Sequence, residues 1–470
     1  MIKKGDEITA DISDLNSEGK GVSRLPDGFV IFSENTVPGD KALLKIKRKK
    51  SNYAEAALVK IESPSQDRVN PRCIHFGICG GCKMQNLDYG RQIRYKSDVV
   101  KDAMERIGGF KNIFIPDAVK SDNIYYYRNK MEFSFSDDEW KESVTEVKDE
   151  DNFALGLHVP KFHSKIVDLK ECHLQSEITS EILNFTRAFF KERKVTAYSS
   201  FKQSGFLRFL IFRKTSATNE LLVNLITYDY NEPLIKEYTK AVTHKFPQIT
   251  DLINSTSAKL SRVAAGEKEY VLFGKGYVTE IIRSRTGREY KFLISPQSFF
   301  QTNTLQAEKL FDIVIETGDF RESDKALDLY CGTGAITLLL SGKAGFVKGV
   351  ELSEESISDA IKNAKFNNVK NAEFICSDIK KYLENPENHE GFNKLVLDPP
   401  RSGLHPEVSE KISETKFEKI VYVSCNPHTQ ARDLQIICSK GNYKISRLQP
   451  VDMFPHTYHV ENVVLLDCIE

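Results

Sequence analysis

The chain has 470 residues, 40% of them hydrophobic, and a formal net charge of zero from 66 basic and 66 acidic residues. This length allows two to four domains, each with its own core. The neutral balance does not exclude nucleic acid as a partner, because a binding protein can concentrate its charge on one face. No apolar run approaches the length that crosses a bilayer, so we expect no membrane association.

The cysteine content and the first residues indicate a reducing compartment. The start, MIKKGDEITADI, lacks the apolar stretch of a signal peptide. Nine cysteines without an export signal favour reduced thiols, metal ligation or catalysis over a disulfide framework. We therefore expect a cytoplasmic protein, and we expect it to be a monomer.

Residues 1–62 alternate apolar and polar positions between frequent turn signals. The pattern predicts five short strands in a small closed β-barrel. A basic run at 45–50, KIKRKK, is predicted to lie at a turn between two of these strands. Such a loop can grip phosphates, or it can be a solvated edge that protects against aggregation, and the run alone favours neither.

Residues 63–290 have a different organisation. Three cysteines at 73–82 precede a helical stretch, and strand-like segments such as YYYRNKMEFSFS, FLRFLIFRK and ELLVNLIT follow. These segments predict an antiparallel sheet with helices, a central α+β domain. The charged stretch WKESVTEVKDEDN, at 140–152, is predicted to be an exposed hairpin or loop.

From about residue 291 short apolar strands alternate with helices. The strands are KALDLYC, FVKGVEL, AEFICSD, NKLVLDPP and KIVYVSC. This alternation predicts a parallel, doubly wound α/β sheet of the Rossmann-like kind over 291–470. Ligands of such sheets lie at the carboxyl ends of the strands, so the residues there carry the functional prediction.

Four successive strands of this region end in an acidic residue. DLYCGTG at 328–334 ends a strand and opens a helix, and its glycines permit close backbone approach to a ligand. The acids at the strand ends are Asp328, Glu351, Asp378 and Asp398. Each acid alone is as well explained as a helix N-cap or a solvated turn. Their repetition, with a carboxylate placed for ribose hydroxyls, favours an S-adenosylmethionine site.

A candidate nucleophile and a candidate base follow. Cys425, in SCNP, ends the fifth strand and is predicted to face the same crevice as Asp398. Glu461 enters the last apolar strand, after the segment DMFPHTYHV. A buried structural cysteine and an exposed strand acid are the alternatives. Two histidines spaced by three also allow a metal site, although the helical HExxH context is missing. A nucleophile and a general base are the reading we favour.

The cysteine group at 73–82 has the spacing of metal ligands. Cys73, Cys79 and Cys82 lie in CIHFGICGGC, and Cys172 in LKECHLQ is the best candidate for a fourth ligand. The spacing does not fit a two-knuckle zinc ribbon. We favour a [4Fe–4S] cluster, while a zinc site or unligated thiols stay open.

Together these motifs resemble the iron–sulfur-containing RNA uracil-5-methyltransferases. The resemblance runs over nearly the whole chain, through CIHFGICGGC, YRNKMEF, DLYCGTG, LDPPRSG, SCNPHTQARDL and DMFPHTYHVENV. It implies S-adenosylmethionine as cofactor, a class I methyltransferase domain, a [4Fe–4S] cluster and an RNA-binding TRAM domain of OB-like shape. It also implies the nucleophile Cys425, the base Glu461, and cofactor contacts at Gln297, Tyr330, Glu351, Asp378 and Asp398.

The resemblance leaves the RNA open and competes with other functions. The N-terminal barrel is commoner in the 23S ribosomal RNA branch, so 23S rRNA is the expected partner and tRNA the alternative. Ala335 stands where relatives often carry asparagine, and Arg128 and Lys130 are candidate RNA contacts. An exocyclic-amino methyltransferase, suggested by Asp-Pro-Pro, needs no cysteine. A non-catalytic RNA-binding protein has no need of Cys425 or Glu461.

Overall fold

The computed structural model describes residues 2–141, 152–160, 162–199, 202–259 and 264–469. Most of the charged stretch at 140–152 therefore lies outside the described residues. Within the described part, the strands form three large sheets and one two-stranded ribbon. No helix there is long and apolar enough to cross a membrane.

The first sheet contains six strands, one more than predicted. In spatial order they run β1-β5-β6-β4-β3-β2, and β4 and β6 are parallel neighbours. The strands are β1 (Glu7–Asp11), β2 (Asp14–Leu15), β3 (Gly21–Arg24), β4 (Val30–Ser33), β5 (Lys41–Lys49) and β6 (Tyr53–Ser63). The basic run at 45–50 is not a turn, because most of it belongs to β5, where Ile46 alternates into the core between exposed lysines.

One long helix, α1 (Tyr89–Arg106), follows the cysteine segment. Asp88 caps it, since its side chain accepts a hydrogen bond from the Arg91 backbone amide at 3.2 Å. The buried face of α1 packs partly on the C-terminal core through Val100 and Met104. The helix thus connects the cysteine segment to the last third of the chain.

The central sheet has seven strands and is mixed rather than purely antiparallel. Its spatial order is β13-β12-β11-β10-β7-β8-β9, and only β11 and β12 pair in parallel, across the crossover helix α3. The strands are β7 (Lys130–Ser136), β8 (Ala154–Val159), β9 (Phe162–Asp168), β10 (Leu207–Lys214), β11 (Leu221–Thr227), β12 (Asp251–Thr256) and β13 (Lys268–Phe273). The two helices are α2 (Glu177–Glu192) and α3 (Glu232–Lys245).

A ribbon and a helix lead into the last sheet. The strands β14 (Val278–Arg283) and β15 (Glu289–Ile294) pair antiparallel, and α4 (Thr304–Gly318) follows them. Buried side chains of the ribbon, among them Val278 and Phe292, share one hydrophobic core with the C-terminal sheet. The predicted domain division at residue 291 stays a prediction.

The C-terminal sheet has the predicted doubly wound form. Its order is β18-β17-β16-β19-β20-β22-β21; the first five are parallel, and β22 runs antiparallel beside β20. The strands are β16 (Lys325–Leu329), β17 (Phe346–Glu351), β18 (Ala372–Cys376), β19 (Lys394–Leu397), β20 (Lys419–Ser424), β21 (Tyr443–Val451) and β22 (Glu461–Cys468). The helices are α5 (Ala335–Leu340), α6 (Glu354–Phe366), α7 (Ile379–Glu384), α8 (Pro406–Glu414) and α9 (Pro427–Cys438), with a 3₁₀ turn at Pro386–Asn388.

The order of the strands reverses between β16 and β19. The chain connections on the two sides of this point run in opposite directions. The carboxyl ends of neighbouring strands therefore open into a crevice. All four residues of β19 are buried, which is the apolar pattern of a strand covered on both faces.

Candidate active site

A cavity of about 1100 Å³ lies at this switch point of the C-terminal sheet. It brings together six of the seven catalytic and cofactor residues that the sequence analysis named. The six are Tyr330, Glu351, Asp378, Asp398, Cys425 and Glu461. The seventh, Gln297, is not among the lining residues, and its side-chain amide donates to Glu269 at 2.8 Å.

The turn after β16 forms part of the cavity wall and needs glycine at two positions. Gly332 and Gly334 have φ angles of +53° and +84°, in the left-handed region that side chains avoid. A Cβ on Gly332 would meet no atom within 4 Å, so its backbone faces open space in the cavity. The Gly332 amide donates to the Glu351 carboxylate at 3.3 Å, and this bond joins the turn to the end of β17.

The acidic side chains at the strand ends form different hydrogen bonds. Glu351 also accepts hydrogen bonds from the Leu352 and Ser353 amides at 2.8 and 3.0 Å, which hold its carboxylate at the cavity wall. Asp378 caps α7 by accepting from the Lys381 amide, so the N-cap alternative holds for it, and it lines the cavity as well. A fixed carboxylate in such a position can accept hydrogen bonds from a diol.

Two further carboxyl groups, those of Asp398 and Asp328, have raised pKa values. Burial raises the pKa of Asp398 to about 7, and burial with the charges of Asp398 and Glu351 raises that of Asp328 to about 7. Thr337 donates to Asp328 at 2.5 Å. In the described part of the chain, no hydrogen bond to the Asp398 carboxylate is found. A cation placed in the cavity would stabilise its ionised form.

Cys425 directly follows β20, and Glu461 begins the neighbouring antiparallel strand β22. Ser424 of β20 pairs with Asn462 of β22, so this register places Cys425 opposite Glu461. The Glu461 side chain is buried, and the whole residue is 6% exposed. Both residues line the cavity. The pairing of two strands far apart in sequence thus creates the constellation.

The electrostatics of this pair follow from burial and from nearby acids. Burial and the charges of Glu461 and Asp398 raise the pKa of Cys425 to about 12, while Arg401 opposes that rise. Burial and the Asp398 charge raise the pKa of Glu461 to about 8. A carboxyl group with this pKa exchanges a proton near neutral pH, as a general base must.

Several lining residues were not predicted. Phe299 and Gln301 line the cavity, and the sequence signal for them was the same SPQSFFQTN motif that contains Gln297. Arg401 follows the Asp-Pro-Pro turn and His459 lies in the DMFPHTYHV segment. Burial with the charges of Arg401, Lys96 and Arg128 lowers the pKa of His459 to about 4, so this imidazole is neutral at pH 7.

The two candidate RNA contacts separate in the structure. Arg128 lines the cavity and its guanidinium lies 5.9 Å from the centre of the Phe454 ring. Lys130 pairs instead with Glu132 at 2.5 Å on the central sheet. Of the two, only Arg128 is placed to meet a ligand in the cavity.

The four predicted cysteine ligands lie outside this cavity. They are within electrostatic range of one another, since a charge on Cys172 raises the pKa of Cys73, Cys79 and Cys82. Burial is the larger cause and raises the pKa of Cys79 and Cys82 to about 12. Residues 73–82 form the cysteine loop. Within it, Gly81 lies between Cys79 and Cys82 and lines the cavity.

The Cys79 sulfur accepts a hydrogen bond from the Gly81 amide at 3.4 Å. Near the other three sulfurs, neighbouring N–H groups partly offset the effect of burial on the thiol pKa; they belong to His75 and Phe76 beside Cys73, Gln85 beside Cys82, and Leu174 and Gln175 beside Cys172. Such donors stabilise thiolates bound to a metal cluster. Within the described residues, no group of three or more His, Cys, Asp or Glu side chains is arranged to hold a metal ion.

The parallel sheet, the glycine turn and the acids at its strand ends define a class I S-adenosylmethionine-dependent methyltransferase. Residues 199–469 match the sequence model of the tRNA (Uracil-5-)-methyltransferase family, and residues 3–59 match that of the TRAM domain. The chain belongs to the RNA uracil-5-methyltransferase family and is an RNA methyltransferase. The predicted enzyme class, S-adenosylmethionine as cofactor and the TRAM domain are thereby confirmed.

Relatives and a solved structure agree with this membership. An uncharacterized RNA methyltransferase of Bacteroides thetaiotaomicron is 40% identical over 96% of this chain and all of its own length. One from Chlorobaculum tepidum is 38% identical over 100% of this chain and 98% of its own. The crystal structure of Pyrococcus abyssi tRNA (uracil-54, C5)-methyltransferase in complex with S-adenosyl-L-homocysteine is 30% identical, with a TM-score of 0.75, over 97% of this chain and 99% of that one.

Proposed function

We propose that this enzyme methylates C5 of a uridine in RNA, with Cys425 as nucleophile and Glu461 as general base. The observation that carries the proposal is that both residues line one cavity, with Cys425 directly after β20 and Glu461 at the start of the adjacent antiparallel strand β22. An exocyclic-amino methyltransferase has no use for this pair, because an amino nitrogen is already nucleophilic. A uracil C5 carbon is not, and needs activation.

The chemistry assigns one bond change to each residue. After losing its proton to solvent, the Cys425 thiolate adds to C6 of uracil, and the electron pair of the C5–C6 double bond moves to C5 as an enolate. The cofactor supplies an electrophilic methyl group on a sulfonium, which C5 can accept. Glu461 then takes the C5 proton, the C5–H electrons restore the double bond, and Cys425 leaves as a thiolate. The uridine must be unpaired or flipped out of a helix to reach the cavity.

The cofactor contacts are proposed from the cavity wall. Glu351 suits the ribose hydroxyls, since its carboxylate is held in place by three backbone amides. Tyr330, Asp378 and Asp398 lie on the same wall. Gln297 was expected as a further contact; the geometry favours Gln301, from the same motif, because it lines the cavity. The carboxylate-rich wall fits a cationic cofactor.

The cysteine loop is proposed to hold a [4Fe–4S] cluster through Cys73, Cys79, Cys82 and Cys172. The mutual electrostatic influence of the four thiols and the N–H groups beside each sulfur support this assignment. Zinc stays the alternative.

The RNA substrate is proposed to be 23S rRNA, with tRNA as the second candidate. The N-terminal unit motivated the first choice. The Pyrococcus abyssi enzyme, whose name specifies tRNA, matches 97% of this chain, so the presence of this unit does not separate the two. We also propose three domains, at 1–62, 63–290 and 291–470, with the first two contributing RNA contacts.

Nucleoside mass spectrometry of RNA from cells with and without the gene tests both parts of the proposal. Loss of 5-methyluridine at one ribosomal position would support the reaction and name the substrate. Loss confined to tRNA would support the reaction and replace the substrate. Unchanged 5-methyluridine in both RNAs would contradict the proposed reaction.

The Glu461→Gln variant tests the mechanism with purified enzyme. Without its base the enzyme should add to the uridine and transfer the methyl, yet release product about a hundredfold to ten-thousandfold more slowly. A covalent enzyme–RNA adduct should then persist on a denaturing gel. Normal product release by this variant would assign the base to another group.

A further inference from the structure

One face of α1 holds the segment 452–459, which connects β21 to the strand that begins at Glu461. Tyr89, Gln92 and Lys96 are three and four residues apart, so they share a face of the helix. Lys96 forms an ion pair with Asp452 in which both side chains are fully buried. Tyr89 donates to the same carboxylate at 2.8 Å. Such a buried pair fixes geometry, because separating it would leave an uncompensated charge.

The Gln92 side chain joins this segment to the exit of the cysteine loop. Its carbonyl oxygen accepts from the His456 amide at 3.0 Å. Its NH₂ group donates to the backbone oxygens of Met84 at 2.9 Å and Leu87 at 2.8 Å. The side chain is fully buried, and its two polar ends thus tie together two backbone stretches that lie far apart in sequence.

The exit of the cysteine loop also bonds the segment directly. The amides of Lys83 and Met84, the first two residues after Cys82, donate to the His456 carbonyl at 2.8 and 3.0 Å. The Tyr127 hydroxyl donates to the Pro455 carbonyl at 3.0 Å. The turn before Glu461 is therefore built on the backbone that leaves the cysteine loop.

This turn is one that needs outside support. His456 has a φ of +65°, a left-handed conformation that costs a non-glycine residue free energy unless its surroundings impose it. The residue is 3% exposed, and its ring lies 4.4 Å from the Tyr125 ring. Immediately beyond it, Thr457, His459 and Glu461 line the cavity. Releasing the His456 turn would move the residues that face the substrate.

We propose that Gln92 is a positioning residue that couples the cysteine loop to the Glu461 carboxylate. The inference rests on the proposed function, because it takes Glu461 as the base that removes the C5 proton. Disorder in the cysteine loop would reach the His456 turn through Lys83, Met84 and Gln92. It would then slow proton removal and thiol elimination more than the earlier addition to C6.

The Gln92→Met variant tests the coupling, since methionine keeps the volume of the side chain and removes its hydrogen bonds. Release of methylated RNA should slow about a hundredfold, the scale of a misplaced catalytic group. An enzyme–RNA adduct should accumulate, with affinities for RNA and S-adenosylmethionine within about twofold of wild type. Asn371→Ala is the matched control, because Asn371 also bridges two carbonyls, those of Ser341 and Ala344.

Three outcomes separate the possibilities. If Gln92→Met loses RNA affinity or melts early without accumulating adduct, its role is only structural and the inference fails. If Gln92→Met does not fold, Tyr127→Phe replaces it, since it removes only one hydroxyl. This variant should accumulate the adduct to a smaller extent. If it accumulates no adduct, the inference is overturned as well. If Glu461→Gln itself accumulates no adduct, the proposed function is what fails. The iron content of each variant should equal that of wild type.

Discussion

The four predicted cluster cysteines and Cys425 all have raised thiol pKa values, but their surroundings differ. Among the four, each sulfur lies near N–H groups and other thiols. Cys425 lies in the cavity beside the carboxyl groups of Glu461 and Asp398, which raise its pKa further, while Arg401 and a backbone N–H group oppose them. The first surroundings suit thiolates that stay bound to a cation. The second surroundings keep the Cys425 thiol, the proposed nucleophile, protonated in the free enzyme.

The largest expected effect is the loss of activity in Cys425→Ala. Without the thiol, C6 addition cannot occur, and methyl transfer to RNA should fall below detection while S-adenosylmethionine still binds. Transfer of a labelled methyl group and isothermal titration check the two halves. Cys438→Ala is the control and should keep activity. It removes a thiol whose pKa is raised to about 11 by burial alone. Turnover by Cys425→Ala would reject the nucleophile assignment.

The next effect distinguishes the four predicted cluster cysteines from Cys425 by the metal content of their variants. Cys79→Ser and Cys82→Ser should lower iron from about four atoms per chain to near zero and abolish visible absorbance. Cys425→Ala should leave both unchanged. Iron analysis of anaerobically purified protein checks this expectation. Zinc in the wild-type protein, or iron retained by both serine variants, would contradict the proposed cluster.

A smaller effect concerns the reactivity of Cys425 in the free enzyme. Because its pKa is about 12, alkylation by iodoacetamide should rise about tenfold for each unit from pH 7 to 10. Glu461→Gln removes a negative neighbour, so at pH 9 the variant should react several times faster than wild type. Peptide mass spectrometry measures the rate, with the exposed Cys376 as internal reference. Equal rates in the two proteins would show that Glu461 does not act on the thiol.

The smallest effect is on cofactor affinity. The Asp398 carboxyl group, with a pKa of about 7, is mostly protonated at pH 6 and mostly ionised at pH 8. S-adenosylmethionine carries a positive sulfonium, so its affinity should rise about threefold to tenfold over this interval. S-adenosylhomocysteine, which is neutral at sulfur, should show a weaker dependence. Asp398→Asn should flatten the response, and a steep response in that variant would point to another acid.

Much of the fold and of the site could be predicted from local patterns. The five parallel strands from β16 to β20 were recognisable because each is a short apolar run, and the first four end in a glycine turn or an acid. Glu351, Asp398 and Cys425 line the cavity as their strand-end positions predicted. Chain order alone places such residues at one edge of a parallel sheet.

Other features escaped sequence reasoning for physical reasons. Gln297 and Gln301 are equally polar and lie in one motif, and only the packing of that segment decides which one faces the cavity. The basic run at 45–50 resembled a turn, yet the single apolar residue Ile46 anchors it in a strand. The parallel pairing of β11 with β12 depends on where α3 packs.

The sequence by itself determined the kinds of groups that this enzyme has available: a glycine turn, acids at strand ends, a thiol and a carboxyl group that we propose as nucleophile and base, and four further cysteines. Tertiary structure decided which of them meet. Cys425 faces Glu461 because β22 inserts antiparallel beside β20, and the cysteine loop supports the turn before Glu461 because α1 lies between them. Local sequence encodes strand ends and chemical types, but contacts between distant segments arise only when the whole chain packs.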